Sequence, residues 1–234
     1  MKIFVTGGAG FIGSEFVRNT LSGQLDGFGV NPSKLIVYDA LTYAGNIENL
    51  SLFKNDERLD FIQGDICDSD VWKNIPTNCD LLVNFAAESH VDRSIEGPSV
   101  FIKTNVLGTQ NLLEGKKLPL YGDGKNIREW IHVSDHVRGI VHAYKFGKPG
   151  EIYNIAGDTE LTNLDITKIL LKEFNLDESR INFVQDRLGH DFRYSLDSSK
   201  ISLIGFKTNV DFQKGIRSTI NWYKENINWL RGNS

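Results

Sequence analysis

Short apolar runs alternate with longer amphipathic ones through the first half of the chain. KIFVTG (2–7), KLIVYD (34–39), LDFIQGD (59–65) and DLLVNFAA (80–87) are rich in β-branched or aromatic residues and end on Gly, Asp or Ala. Continuous runs of this kind predict strands buried on both faces of a sheet. Between and after them, GSEFVRNTLS (13–22) and SVFIKTNVLGTQNLLE (99–114) carry helical periodicity. In the second, Val100, Ile102, Val106, Leu107, Leu112 and Leu113 recur at helical spacing. Strand–helix alternation predicts right-handed βαβ units and a parallel sheet.

The texture changes after Glu114. GKKLPLYGDGKNIREW (115–130) is broken by Gly and Pro and carries scattered charge. IHVSDHVRGIVHAYKF (131–146) predicts a short strand and then a helix capped near Ser134 or Asp135. EIYNIAG (151–157) predicts a strand, TNLDITKILLKEFN (162–175) a helix capped by Thr162 or Asn163, and RINFVQD (180–186) another strand. FQKGIRSTINWYKEN (212–226) predicts an amphipathic closing helix. There are no repeats and no low-complexity segment.

Composition narrows the class. With 234 residues, 40% of them hydrophobic, the chain is long enough for one large domain or two small ones with a real core. The formal net charge of −4 comes from intermixed acids and bases, which gives no electrostatic argument for nucleic acid or an anionic membrane. No apolar run reaches the 18 or so residues that a membrane span needs, and glycines interrupt the N-terminal apolar stretch too early for a signal segment. Cys67 and Cys79 have no metal or redox spacing and are expected to be reduced. His132, His136 and His142 form no metal-like set with nearby acids and are read as structural, so no metal is expected. A cytoplasmic location is the expectation.

The strongest chemical signal is VTGGAGFIGS (5–14), directly after the first strand and opening the first helix. Gly7, Gly10 and Gly13 would allow a tight turn, close backbone approach to a pyrophosphate, and close helix–strand packing, with the helix N-terminus facing the negative charge. Asp39 ends the second strand, where a carboxylate can bond both ribose hydroxyls of an adenosine and repel a 2′-phosphate. NAD is therefore expected rather than NADP. Asp65 and Ile66 end the third strand, at the place of an adenine edge. Ala86 and Ala87 end the fourth, where small residues admit the nicotinamide ribose.

Several longer stretches resemble the extended short-chain dehydrogenase/reductase family, in its NAD-dependent epimerase/dehydratase branch. They are YDALTYAGNIENL (38–50), FAAESHVDRSI (85–95), KTNVLGTQNLL (103–113), GKKLPLYGDGKNIREWIHVSDH (115–136) and DRLGHDFRYSLD (186–197), so the resemblance covers nearly the whole chain. It implies a Rossmann-like, doubly wound parallel sheet over 1–114 and a smaller α/β substrate-binding region over 115–234. It adds Phe11, Ile12, Leu41, Thr42 and Thr104 to the NAD set. It implies a nucleotide-sugar substrate, dTDP-glucose, whose thymine end would meet Lys117, Leu118, Pro119 and Tyr121. Arg128, Asn163, Arg187, His190 and Tyr194 would take the diphosphate and nucleoside, with Ser89 and His90 nearer the sugar. The chemistry is consistent, because a diphosphate needs cations and Arg offers a planar fork of donors.

The implied reaction dehydrates the sugar to a 4-keto-6-deoxy product. NAD takes a hydride from carbon 4, water leaves across carbons 5 and 6, and the hydride returns to carbon 6. The family performs hydride transfer with a Tyr and a Lys four apart on one helix, and elimination with an Asp–Glu pair. Both belong between the helix ending GTQNLL and the stretch GKKLPLYGDG, and here those two segments are fused at Glu114–Gly115. Tyr121/Lys125 and Tyr144/Lys148 match the spacing but not the position. Asp56-Glu57 and Asp177-Glu178 likewise lie elsewhere, so no catalytic residue is assigned. Either the protein is a shortened homologue, or its native chain carries a block that these residues do not. Without the fifth and sixth strands, the sheet would be incomplete after the fourth and leave an apolar parallel edge, unless a run such as EIYNIAG moves in. The family is homodimeric, and its dimer face partly uses the absent Tyr–Lys helix. Two other functions stay open. One is a different nucleotide-sugar epimerase or decarboxylase of the same fold. The other is a catalytically silent binding or assembly subunit.

Overall fold

The computed structural model describes residues 1–67, 71–87, 117–186 and 189–226. The helix expected over 99–114, and with it the Glu114–Gly115 join, lies outside the described residues. The chain packs as two units. One gathers the described residues of 1–88, 133–153 and 201–207; the other takes those of 89–132, 154–200 and 208–234.

The first unit is built on four parallel strands in the order β3-β2-β1-β4: β1 (Lys2–Thr6), β2 (Lys34–Asp39), β3 (Leu59–Gln63) and β4 (Leu81–Asn84). β1 is the pivot, with Ile3 in register with Leu35 on one side and Leu81 on the other. This is half of a doubly wound sheet, in which strand order reverses across β1 and opens a crevice at the strand C-termini. The continuous apolar runs have the expected cause. Phe4 faces Tyr38 and Ile36 on one side of the sheet, while Ile3, Val5, Leu35 and Val37 join the main core on the other. Helix α1 (Phe11–Leu21) buries Phe16, Val17 and Leu21 in that core, where Val137 and Val141 of α3 (Val133–Phe146) join them. A short α2 (Val71–Asn74) precedes β4.

Among the described residues, β4 pairs only with β1, and Leu82 on it is 46% exposed. Among the described residues the sheet ends at β4. The run 151–157 does not fill the gap, because it forms no strand at all. Its residues are divided between the two units, changing over after Tyr153.

The α3 boundary also differs from expectation. The helix begins at Val133, inside the segment read as a strand, which places Ser134 and Asp135 in its first turn rather than at its cap. Asp135 is almost fully buried and is paired with Arg138 one turn on, so its carboxylate serves the helix interior. One residue further, His136 buries its Nδ1 with no hydrogen-bond partner among the described residues. Burial holds its imidazole below its ordinary value of 6.5. The folded chain then binds fewer protons than the unfolded chain just below pH 6.5. The contribution is complete above about pH 6.5 and is lost as pH falls through that value toward the lower folded one. Urea midpoints measured from pH 7.5 down to 5.5 are expected to decline, and His136→Leu to flatten the decline. An unchanged slope in the variant would place the dependence elsewhere.

Among the described residues, the second unit holds two small sheets. β5 (Leu118–Tyr121) and β8 (Ile181–Val184) pair in parallel. β6 (Ile127–Trp130) lies between antiparallel β7 (Thr159–Thr162) and the short parallel β9 (Arg193–Tyr194). Helix α4 (Asn163–Glu173) is started by Thr162, which with Asp165 makes a reciprocal capping box. α5 (Ser199–Leu203) follows β9. The closing helix α6 (Phe212–Glu225) is capped by Asp211 and sends Ile216 and Ile220 to the core formed by Leu118, Ile166, Leu170 and Leu171. Among the described residues, no helix is long and apolar enough to cross a membrane.

Candidate functional site

The glycine loop sits where β1 ends at the crevice. Gly7 has a left-handed backbone (φ +66°), and its N–H bonds the Tyr38 carbonyl at 2.9 Å. A side chain there would reach 2.5 Å from the Ala86 nitrogen, so the loop lies directly on the end of β4. Gly13 closes the loop from the helix side, where an added Cβ would fall 2.1 Å from the Gly7 carbonyl oxygen and 2.8 Å from the Gly8 Cα. Gly10 caps α1, and the first turn of that helix carries no acidic residue. The N–H groups of the first helical turn and the positive end of the helix dipole therefore face the crevice with no acidic residue in that turn.

Asp39 has a further task. It is buried, and its Oδ2 accepts from the Ala9 N–H at 2.9 Å while Oδ1 accepts from the Leu41 N–H at 2.8 Å. The carboxylate thus ties the glycine loop to the turn after β2, where Leu41 takes a left-handed conformation (φ +52°). Each oxygen keeps a second lone pair, so the ribose reading and the tie are compatible. Thr42 lies in that turn and accepts from the Gly45 N–H through its carbonyl. Asp65 accepts from the Cys67 N–H at 2.8 Å, and its own carbonyl receives the Tyr38 hydroxyl. Phe11, 70% exposed, and Ile66 present open apolar surface, whereas Ile12 packs against the core. Gly7, Gly10, Gly13, Asp39 and Ala86 are thus brought together in one unit, with Ala87 following Ala86. Thr104 lies outside the described residues.

In the second unit, the Arg128 side chain is nearly buried and organises its surroundings. Nη1 donates to the Ile127 carbonyl at 2.7 Å, and Nη2 donates to the Asp191 carbonyl at 3.2 Å and meets His190 Nε2 at 3.1 Å. Its guanidinium lies 4.4 Å from the centre of the Tyr194 ring. Arginine can only donate, so His190 Nε2 accepts. Nδ1 then carries the proton and donates to Asp186 Oδ1 at 2.7 Å. The Tyr194 hydroxyl bonds Asp191. Arg128, His190 and Tyr194 are therefore one hydrogen-bonded group, held in place by Asp186 and Asp191. The sequence reading missed both acids. The four-residue spacing of Asp186 and His190 was the available signal.

The other expected substrate residues are spread over this unit. β5 alternates, with Leu118 and Leu120 buried and Pro119 and Tyr121 partly exposed. Leu118 faces the core rather than an open surface. Lys117 is exposed just before the strand. Asn163 starts α4, with its N–H on the Asn126 carbonyl at 3.0 Å. Ser89, His90 and Arg187 lie outside the described residues.

Neither Tyr/Lys pair lies on one helix. Tyr121 ends β5 and Lys125 follows a glycine turn, bound to Asp123 at 2.8 Å; Lys148 lies beyond the end of α3. Asp56 is held by Arg58, and Asp177 accepts from the Ser179 N–H. Among the described residues, no cluster of three or more His, Cys, Asp or Glu is placed to hold a metal ion.

Two family models match the chain: GDP-mannose 4,6 dehydratase over residues 4–117, and the NAD dependent epimerase/dehydratase family over 110–156. They overlap at 110–117, across the Glu114–Gly115 join. A dTDP-glucose 4,6-dehydratase from Actinoplanes sp. is 35% identical, covering 98% of this chain and 99% of its own length. One from Streptomyces niveus is 34% identical, covering 98% and 94%. The Actinoplanes alignment spans 322 positions against 234 residues here, so at least 88 of its positions face no residue of this chain. Among solved structures, a dTDP-glucose 4,6-dehydratase from Streptomyces venezuelae with NAD bound superposes with a TM-score of 0.90 at 37% identity, covering all of both chains.

Proposed function

The chain belongs to the NAD-dependent epimerase/dehydratase family, in its dTDP-glucose 4,6-dehydratase-like group, and from that premise we propose that these 234 residues bind NAD and dTDP-glucose but do not turn the sugar over. The observation that carries the binding half is the glycine loop seated on Ala86 at the mouth of the crevice. NAD, when bound, would supply the hydride acceptor. The protein's part is to hold its pyrophosphate on the loop amides and the N-terminus of α1. Asp39 would accept from the adenosine ribose while keeping its ties to Ala9 and Leu41. Asp65 and Ile66 would border the adenine, and Ala86 and Ala87 would admit the nicotinamide ribose. In the other unit, Arg128 and His190 would meet the diphosphate, with Tyr194 and Asn163 beside the nucleoside and Pro119 and Tyr121 beside the thymine.

The inactive half rests on the gap of at least 88 positions against the Actinoplanes relative and on the fused segments at Glu114–Gly115. No Tyr–Lys pair stands on a helix after the fourth strand in sequence order, so no base is in place to take the hydroxyl proton that must leave with the hydride. Calorimetric titration is expected to give saturable binding of NAD and of dTDP-glucose, with UDP-glucose bound more weakly. Incubation with both ligands is expected to give no product lighter by one water in the mass spectrum. Steady formation of a 4-keto-6-deoxy sugar would sink the inactive half, and absent NAD binding would sink the other.

A further inference from the structure

Ala9 lies at the middle of the glycine loop and is completely buried. Both its polar groups are held from outside the loop. Its N–H donates to Asp39, while its carbonyl oxygen accepts from Asn49 Nδ2 at 2.8 Å and from the Asn46 N–H at 3.1 Å. Asn49 stands on the 3₁₀ turn Ile47–Phe53, which Asn46 starts by accepting from the Glu48 N–H. Leu50, from the same turn, is buried in the main core, so the turn has a fixed seat from which the Asn49 amide reaches the loop.

We infer that Asn49 is a positioning residue for the cofactor: its side-chain amide fixes the Ala9–Gly10 peptide that leads into α1, and so aims the N–H groups of the first turn of that helix at the pyrophosphate. The physical reason is directional. Successive N–H groups can converge on an anion only if the carbonyls between them point away from it. A buried carbonyl turned inward needs donors. Asp39 holds the peptide on the N-terminal side of Ala9, and Asn49, ten residues further along the chain, holds the one on its C-terminal side. The inference rests on the NAD reading above.

The test measures ADP, which carries the pyrophosphate, beside adenosine, which lacks it. Asn49→Ala is expected to weaken NAD and ADP about five- to tenfold, the scale of one hydrogen bond to a buried group, and to leave adenosine within about twofold. Asn49→Asp keeps the shape but loses the donor and sets a negative charge against the Ala9 carbonyl, so its loss is expected to be larger. Asn49→Ser keeps a shorter donor, should fall between wild type and Ala, and serves as the test where Ala lowers folding. Equal loss of ADP and adenosine would mark a merely structural role and overturn the inference. So would a variant that binds ADP like wild type. A wild-type chain that binds neither NAD nor ADP would overturn the NAD reading, and this inference with it.

Discussion

Gly13→Ala is expected to abolish measurable NAD binding. The added methyl would stand 2.1 Å from the Gly7 carbonyl oxygen, 2.8 Å from the Gly8 Cα and 2.9 Å from the Gly7 carbonyl carbon. All three neighbours are backbone, so no side chain can rotate out of the way. Relief requires the first turn of α1 to move off the loop, which separates the helix N-terminus from the amides that share the anion with it. Overpacking of this kind costs about 1–3 kcal/mol or more in stability. Where binding depends on the displaced groups, about 3 kcal/mol corresponds to roughly 100-fold in affinity. Gly7→Ala should be comparably severe, since it combines a left-handed backbone with a 2.5 Å approach to the Ala86 nitrogen. Gly10→Ala supplies the contrast. Its backbone is already extended (φ −79°), and its added Cβ would meet the Gly7 oxygen at 3.3 Å, so its loss should stay within about tenfold. NAD titrations of the three variants, at a temperature where each remains folded by circular dichroism, check the order. Equal losses at Gly10 and Gly13 would remove packing as the cause.

The difference between those glycines was not legible in the sequence, where all three are the same letter at regular spacing. The two central strands were legible because a sheet covered on both faces asks for uninterrupted apolar runs, and β2 falls on the expected residues 34–39; β3 and β4 formed where expected but bury no residue fully, against the expectation for them. The second half was harder. β5 hides in LPLY between Lys117 and Gly122, where Pro and Gly dominate the pattern. Its parallel partner β8 begins 60 residues after Tyr121, and no local signal carries that pairing. EIYNIAG fails for the opposite reason. Its composition suits a strand, but pairing is a tertiary fact, and the run forms no strand. The same limit applies to the site. Glycine spacing announced the loop, and the Arg, His and Tyr of the substrate stretch came from family resemblance. Asp186 and Asn49, whose work is to aim other groups, have no signature of their own. Asp39 has the strand-end position of a ligand residue, and its ties to Ala9 and Leu41 exist only where the loop and the turn after β2 fold against each other.

Arg128→Ala is expected to lower dTDP affinity by at least about 100-fold while leaving NAD affinity within about twofold. Four partners lose their organiser at once: the Ile127 carbonyl, His190 Nε2, the Asp191 carbonyl and the face of Tyr194. What binding would lose directly is the charge-assisted contact to the diphosphate, at about 1.5–3 kcal/mol per hydrogen bond, so two such bonds would account for a change of roughly 100-fold. Arg128→Lys separates charge from shape. Lysine keeps the positive charge but offers a single ammonium, which cannot reach both His190 and Asp191 while lying flat on a ring, so about a tenfold loss is expected. Asp186→Asn probes the same group from its far end. An amide there can still accept from His190 Nδ1–H, but it no longer favours that tautomer by charge, so a smaller loss than at Arg128 follows. Calorimetry with dTDP and with NAD on each variant gives the full comparison. Wild-type dTDP affinity in Arg128→Ala would reduce the group to a strut between β6 and β9. Parallel loss of NAD would show that folding, rather than the nucleotide site, had failed. The graded order Ala, then Lys, then the Asp186 amide is what a diphosphate held by a preorganised guanidinium requires.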